Sequence, residues 1–428
     1  MKKLVVVSIF LLFLFNLFLV SGFAASKNVT LTVLSAQDQI RDAEVKLAEK
    51  FTQKTGIKID FQIIPSEQFD NLLSTRLNSG ECTDLFMAQS GALNIGPRYN
   101  VAKNCVNLTG EPWVKQFDPA VLSAVTFNKK VYGLELWDVS NIWAFVYNKK
   151  IFNQLGITAP KTYADFKATC EKIKAAGITP IYEPISDGWH HVLMFPEMGA
   201  RLNELHPGLV DQLNKNKIKL ADVPEAQKLL EQILETYKYF GKNSFADTYA
   251  DTSRAMDSGQ YAMTVRQQTF PVEFAKDMPN SKLTGDDFGV FVMLFLDNQI
   301  KNMNPQGPTH FIYSKSKYIK EAKAYLRFLA TVENAQYFLD NEPRFTWLPV
   351  TGVKPKEAGL VKELNASIKK TGPVLQASVS YIDPQWMQIG KDMQDMFLGQ
   401  LTPKQVLQNI DKRRADQASA QKDPAWAK

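Results

Sequence analysis

Apolar positions recur with period two in Val29-Thr-Leu-Thr-Val-Leu34, and the β-branched content predicts a strand. A polar loop, Ser35 to Asp38, follows. From Arg41 to Thr55 the period lengthens to that of a helix, through Val45, Leu47, Ala48 and Phe51, and Gly56 closes it. Ile57 to Ile64 is a second predicted strand. Glu67 to Asn78 is a second helix, with Phe69, Leu72, Leu73 and Leu77 on its apolar side. Asp84 to Ala88 is a third, short strand. This order of strands and helices implies a parallel sheet covered on both faces.

Lys130 to Glu135 is again strand-like. It runs through Trp137 to Trp143 into Ala144 to Lys149, where the chain passes from one α/β unit to another. Thr162 caps a helical segment over Tyr163 to Ala176, with Asp165 at its third residue as a capping-box variant. Further strands are predicted at Thr179 to Tyr182, Ser258 to Val265, Phe288 to Phe295 and Thr309 to Tyr313. Helices are predicted at Leu193 to Leu205, Pro224 to Tyr239 and Ile319 to Thr331, and the remainder is largely helical. A chain of 428 residues is too long for one compact core, so two domains are expected.

The first residues bear on the compartment. Met1-Lys2-Lys3, the apolar run Leu4 to Val20 and the small residues of Ser21-Gly22-Phe23-Ala24-Ala25 have the form of a secretory signal, with cleavage after Ala24 or one residue later. A retained membrane anchor is the alternative, since the run is about long enough for a short span. Phe23 stands where a lipoprotein would carry its lipidated Cys, so a soluble protein without a lipid anchor is expected, periplasmic or extracellular. The net charge of +6 falls to about +4 without Lys2 and Lys3. That excess is spread along the chain and offers no basic block for nucleic acid or anionic lipid. Of the three cysteines, Cys82 and Cys105 lie at loop edges, and a disulfide between them is expected in an oxidising compartment. Cys170 shares the apolar stripe of its helix with Phe166 and Ile173, and is expected to be a buried thiol. No Cys/His pair shows metal spacing.

In open α/β sheets ligands bind beyond the carboxyl ends of the strands. Gln37 and Asp38 follow the first strand; Gln89, Ser90 and Gly91 follow the third. These are candidate ligand contacts, with ordinary loop or cap roles as the alternative.

Several stretches, in order, resemble the extracellular solute-binding proteins of ABC importers, in the sugar-binding family that includes the maltose-binding protein. They are Phe51-Thr-Gln-Lys-Thr-Gly-Ile-Lys-Ile59, Asn78-Ser-Gly-Glu-Cys-Thr-Asp-Leu-Phe86, Lys130-Val-Tyr-Gly-Leu, Val146-Tyr-Asn-Lys-Lys-Ile-Phe152, Leu155-Gly-Ile with Pro160-Lys-Thr-Tyr-Ala-Asp-Phe166, Gly259-Gln-Tyr-Ala-Met263, and the run from Ser314 to Leu329. The chain departs from the family pattern at three places: the missing lipobox Cys, Glu135-Leu136 after the Tyr-Gly segment, and Arg266-Gln267-Gln268 where relatives often carry Gly and an aromatic residue.

The resemblance implies an α/β fold of two lobes, each a mainly parallel sheet flanked by helices, with the ligand in the cleft between them. It allots residues 25–138 and 266–325 to lobe 1, and 139–265 and 326–428 to lobe 2. The crossings fall near Trp137–Trp143, Val265–Val290 and Tyr325. It implies a monomer that captures a carbohydrate, an oligosaccharide first, by hinge closure and passes it to membrane permeases, with no cofactor and no catalysis. Sugar hydroxyls need hydrogen-bonding partners, and sugar C–H faces need flat aromatic rings. Four of the seven tryptophans fall where that scheme wants them: Trp137, Trp143, Trp189 and Trp347. Trp143 is the weakest of these. Polar candidates are Asp138, Asn141, Asp187, Arg266, Gln267 and Arg344, with Gly307 allowing backbone to approach the cleft. If Arg266 and Arg344 both face the cleft, an acidic sugar becomes plausible. The rival class is a secreted glycosidase, for which Asp138 and Asp187 would be the two carboxylates. No nucleophile elbow, HExxH, phosphate loop or dinucleotide fingerprint is present in the sequence.

Overall fold

The structure, a computed structural model, describes residues 29–426 apart from 92, 94, 357 and 358. The expected signal segment, residues 1–24, lies outside the described residues.

The chain begins with strand β1 (Thr30–Ala36), helix α1 (Asp42–Thr55), strand β2 (Lys58–Ile64), helix α2 (Ser66–Ser79) and strand β3 (Leu85–Gln89). Gly56, at φ 77°, ends α1 by donating its N–H to the Thr52 carbonyl, a left-handed cap that costs glycine no Cβ strain. The short helix α3 (Ile95–Tyr99) and strand β4 (Gly133–Glu135) follow. A second unit holds β5 (Trp143–Asn148), α4 (Tyr163–Ala175), β6 (Thr179–Tyr182), α5 (Pro224–Thr236), β7 (Tyr261–Gln267), α6 (Phe270–Asp277) and β8 (Phe288–Phe291). The chain then returns to the first unit as β9 (Pro308–Ile312), α7 (Ile319–Leu329) and α8 (Val332–Asn341). It ends in the second unit with α9 (Trp386–Phe397) and α10 (Pro403–Ala420).

The first sheet has the order β2-β1-β3-β9-β4. Alternation along β1 serves both of its faces: Leu31 and Val33 join one apolar cluster with Phe51 of α1, and Leu34 and Ala36 join another with Phe69 and Leu73 of α2. Each fully buried side chain of this size contributes about 1.5–3 kcal/mol. The second sheet has the order β8-β5-β7-β6 around a separate core. Its helix α4 opens on the capping box read from Thr162 and Asp165, and Cys170 packs inside with Phe166 and Ile173.

Three expectations are corrected. Neither sheet is mainly parallel: β9 runs antiparallel to β3 and β4, and in the second sheet only β6 and β7 are parallel. The reason is that β5 and β9 enter their sheets directly from a crossing between lobes, not through a crossover helix. The lobe boundaries also differ. Phe270, Phe274, Phe288 and Val290 belong to the core of lobe 2, whereas Leu326, Phe338, Phe345 and Val350 belong to lobe 1. The crossings therefore lie between Leu136 and Ile142, between Met303 and Pro308, and between Val353 and Leu360. Tyr325 is buried in the lobe 1 core, not at a hinge. The continuous helix expected from Leu193 is two 3-10 turns (His190–Met194 and Pro196–Met198) before helix Gly199–Leu205, because Pro196 cannot continue a helix already begun.

Cys82 and Cys105 are free thiols, against the expected disulfide. Cys105 is buried, and its backbone bridges to Tyr313, while the Cys82 thiol turns to the Thr83 hydroxyl at 3.8 Å. Burial raises the pKa of both thiols, so the reactive thiolate is disfavoured.

Candidate functional site

The lobe 1 wall of the cleft is built on the ends of β1, β3, β4 and β9. The loop after β1 leads to Arg41 at the N-cap position of α1. The Arg41 guanidinium lies over the Trp137 ring, 4.4 Å from its centroid, and Phe345 meets the same ring edge-on at 4.8 Å. Gly307 permits this. A Cβ there would come within 2.7 Å of Trp137. Gly91, at φ 120°, has the Gln306 amide where its own Cβ would stand.

Asp138, just past Trp137, accepts five hydrogen bonds. Ser140 donates its N–H at 2.9 Å and its hydroxyl at 2.6 Å. Thr346 donates its N–H at 2.6 Å and its hydroxyl at 2.9 Å, and Trp347 its N–H at 3.2 Å. The carboxylate thus pins the loop carrying Arg344 and Trp347 to the first crossing. Asn141 reinforces it, donating to the Thr269 hydroxyl at 2.7 Å and to the Arg344 carbonyl at 2.9 Å. Its own carbonyl oxygen is buried without a partner among the described residues. Arg344 Nε donates to Glu342 at 2.9 Å. Burial opposes charge on Glu342, yet Arg344 and Arg41 hold its carboxyl below the ordinary value.

The lobe 2 wall is aromatic. Trp143, Trp189 and Tyr249 form a half-buried group with centroids 5.1–6.3 Å apart. Behind them His190 packs against all three rings. Its Nε2 donates to the Val265 carbonyl at 3.0 Å, and its Nδ1 lies 2.6 Å from Glu183. Trp386 Nε1 donates to the Trp189 carbonyl at 3.0 Å, holding the loop. Asp187 accepts the Tyr249 N–H, and burial raises its pKa. Arg266, 2 % exposed, stacks on Tyr249 at 3.8 Å and pairs with Glu273 at 2.5 Å. Beside it Gln268 donates to the Ser140 carbonyl at 3.2 Å, and its own oxygen is buried without a partner among the described residues.

The walls touch at both rims. Arg98 of α3 pairs with Asp70 of its own lobe and with Asp383 of lobe 2 at 3.4 Å. Lys276 of α6 approaches Asp42 of α1 at 3.8 Å. Two hollows on lobe 2, of about 310 Å³ near Ala200 and Lys370 and about 410 Å³ near Gly156 and Lys161, carry no aromatic ring and lie away from this cleft.

Of the sequence-predicted residues, the structure gathers Trp137, Asn141, Trp189, Arg266, Arg344 and Trp347 about the cleft. Asp187 reaches it through Tyr249, and Gln267 pairs with Trp143 at the sheet end. Gln89 ends β3 beside Pro308. Gln37 and Asp38 are exposed, and Asp38 accepts from the Ser66 hydroxyl at 2.7 Å. Three assignments are corrected. Ser90 is fully buried and exchanges hydrogen bonds with the Gly307 backbone. Gly307 serves the close approach of Trp137, not of a ligand, and its carbonyl accepts from Ser90 and from Thr309. Asp138 holds protein groups with both oxygens. Sequence reading missed Arg41, Tyr249, Gln268 and Glu342. Arg41 stood in the sequence at a strand-to-helix turn, where a signal existed; Tyr249 opens a 3-10 turn (Tyr249–Asp251) that carried none.

Two lobes with separate cores, joined by three crossings around a polar and aromatic cleft, define a two-lobed solute-binding fold. A sequence profile described as bacterial extracellular solute-binding protein matches residues 37–336, and the chain belongs to that family. It is 23 % identical over 323 residues to the multiple sugar-binding protein of Streptococcus mutans, covering 71 % of this chain and 72 % of that one. It is 23 % identical over 332 residues to the melibiose/raffinose/stachyose-binding protein of Bacillus subtilis, covering 74 % and 73 %. Among solved structures, a chitin oligosaccharide binding protein superposes with a TM-score of 0.76 at 21 % identity, covering 92 % of this chain and 99 % of that one. A sugar transporter protein from Bacillus licheniformis in complex with stachyose gives 0.72 at 19 %, covering 91 % and 100 %. No described helix is long and apolar enough to cross a membrane.

Proposed function

We propose that the protein captures an oligosaccharide between its lobes, closes over it by hinge motion, and delivers it to the permease subunits of an ABC importer. The observation that carries this is the half-buried group of Trp143, Trp189 and Tyr249, with the Arg266 guanidinium stacked on Tyr249. Rings stack on sugar C–H faces, and buried groups with open valences, Asn141 Oδ1 and Gln268 Oε1 among them, pair with sugar hydroxyls. The names of the relatives point the same way: multiple sugars in one, and melibiose, raffinose and stachyose in another. Export by a signal cleaved after Ala24, action as a soluble monomer without a lipid anchor, and delivery without chemistry on the ligand belong to the same reading. Against the Asp138–Asp187 pair as glycosidase carboxylates, Asp138 is buried and accepts from five protein donors.

A thermal-shift screen tests the proposal. Ligands that bind only the folded state stabilise it by about 2.7 kcal/mol at a hundredfold excess over Kd. Oligosaccharides are expected to raise the melting temperature. If none does and an amino acid, polyamine or metal salt does instead, the carbohydrate reading falls.

A further inference from the structure

Two guanidiniums in the cleft are buried with hydrogen-bonding capacity left over. Arg41 is 7 % exposed, its Nη1 donates to the carbonyl of its neighbour Ile40 at 3.3 Å, and its Nε has no hydrogen-bond partner among the described residues. The Glu342 carboxylate stands 3.9 Å away, beyond hydrogen-bond reach, and already accepts from the Arg344 side chain and backbone. Arg266, of lobe 2, gives Nη2 to Glu273 and Nη1 to the Tyr249 carbonyl at 3.4 Å, while its Nε is likewise unpartnered among the described residues. Arg41 and Arg344 lie against the same Glu342 carboxylate, at 3.9 and 2.9 Å, and Arg266 of lobe 2 stacks on the Tyr249 ring at 3.8 Å. Against them stand Glu273 and Glu342. Asp38 is next, exposed and bonded to Ser66. Burial, and then repulsion from Arg344, lowers the Arg41 pKa to about 10, the mark of a cation lacking full compensation.

We propose that this part of the cleft reads a carboxylate on the ligand, so that the cleft selects a uronate-containing saccharide, with Arg41 as its principal contact and Arg266 as a second. The proposal rests on the saccharide reading above. A planar guanidinium matches a carboxylate through two parallel hydrogen bonds. Neutral hydroxyls would fill the open N–H positions but leave the charge uncompensated once the lobes exclude water. The Trp137 ring sets the plane of Arg41 before the ligand arrives, which lowers the ordering cost of binding. Acidic groups stand on the same wall, where Asp187 accepts the Tyr249 N–H. There Asp187, Asp247 and Asp251 stand near one another, and burial raises the Asp187 and Asp247 carboxyls.

The test is calorimetric titration of the purified protein with galacturonate oligomers, the methyl esters of the same oligomers, and neutral oligosaccharides of matched length. The acids are expected to bind about tenfold to a hundredfold more tightly than their esters. The preference is expected to shrink as ionic strength rises. Arg41→Gln is expected to abolish it. Esters and neutral sugars that bind as tightly as the acids overturn the acidic specificity and leave the saccharide reading standing. Binding by none of these saccharides overturns both. An acid preference that survives in Arg41→Gln overturns the role given to Arg41. Because the ester comparison uses the unaltered protein, it decides the matter even if the variant does not fold.

Discussion

On the lobe 1 wall Trp137 has Arg41 on its face and Phe345 on its edge; on the lobe 2 wall Trp143, Trp189 and Tyr249 touch mainly one another and remain half-buried. The same residue type therefore does different work on the two sides. Trp137 is a support for a cation, and its ring is not open as a platform. The lobe 2 rings are braced from behind by His190, and Trp386 holds the Trp189 backbone, which leaves the rings half-buried. A count of tryptophans in cleft loops cannot separate these roles, because what matters is which face of each ring the protein already covers.

The largest effect is expected where the lobe 1 wall is anchored. Asp138→Ala leaves the N–H groups of Ser140, Thr346 and Trp347 without their acceptor. Hydrogen bonds to a charged group contribute roughly 1.5–3 kcal/mol each and do not add fully, so a loss of about 4 kcal/mol is expected in denaturant unfolding. A loss below about 1 kcal/mol would mean that the Arg344–Trp347 loop is held by something else, and the contrast between the walls would fail.

A smaller effect lies at the rim where the walls meet. Burial pushes the Asp383 carboxyl up to about 6 in spite of Arg98. An unfolded Asp titrates near 3.9, so the folded state binds this proton more tightly. The contribution of Asp383 to stability is therefore full below about pH 4, declines between about pH 4 and 6, and is lost above. The difference is about 3 kcal/mol at most. Asp383→Asn is expected to flatten that part of the melting-temperature profile. An unchanged slope in the variant would show that the carboxyl is solvated and that the rim is not closed around it.

The third test goes to the comparison itself. Trp189→Ala is expected to weaken oligosaccharide binding about tenfold or more, from lost ring contact, with a minor change in melting temperature. Trp137→Ala is expected to act through Arg41, and so to weaken an acidic saccharide more than its ester. Equal losses for acid and ester in Trp137→Ala would make Trp137 a platform like the others and erase the distinction.

Local pattern determined much of this molecule. Period-two and helical runs placed β1, α1, β2, α2 and β3 to within a residue or two, and the Thr162–Asp165 capping box is as its spacing indicated. These are contacts between near neighbours, whose physics lies in the order of residues. The resemblance in ordered fragments likewise led to the family that the chain belongs to. Tertiary structure alone decided which lobe owns residues 266–303 and 326–353, since both cores need apolar segments and several were of the right kind. It also decided the direction of β5 and β9, because a strand reads alike in either sense until its partner is known. At the cleft, position along the chain marked Asp138, Ser90 and Trp137 as candidates and passed over Arg41. Only packing showed that Asp138 and Ser90 bind protein groups, that Trp137 carries Arg41, and that Arg41 keeps donors open. Whether a polar side chain is free for a ligand depends on which other groups come within about 3 Å, and those groups lie up to some two hundred residues away along the chain.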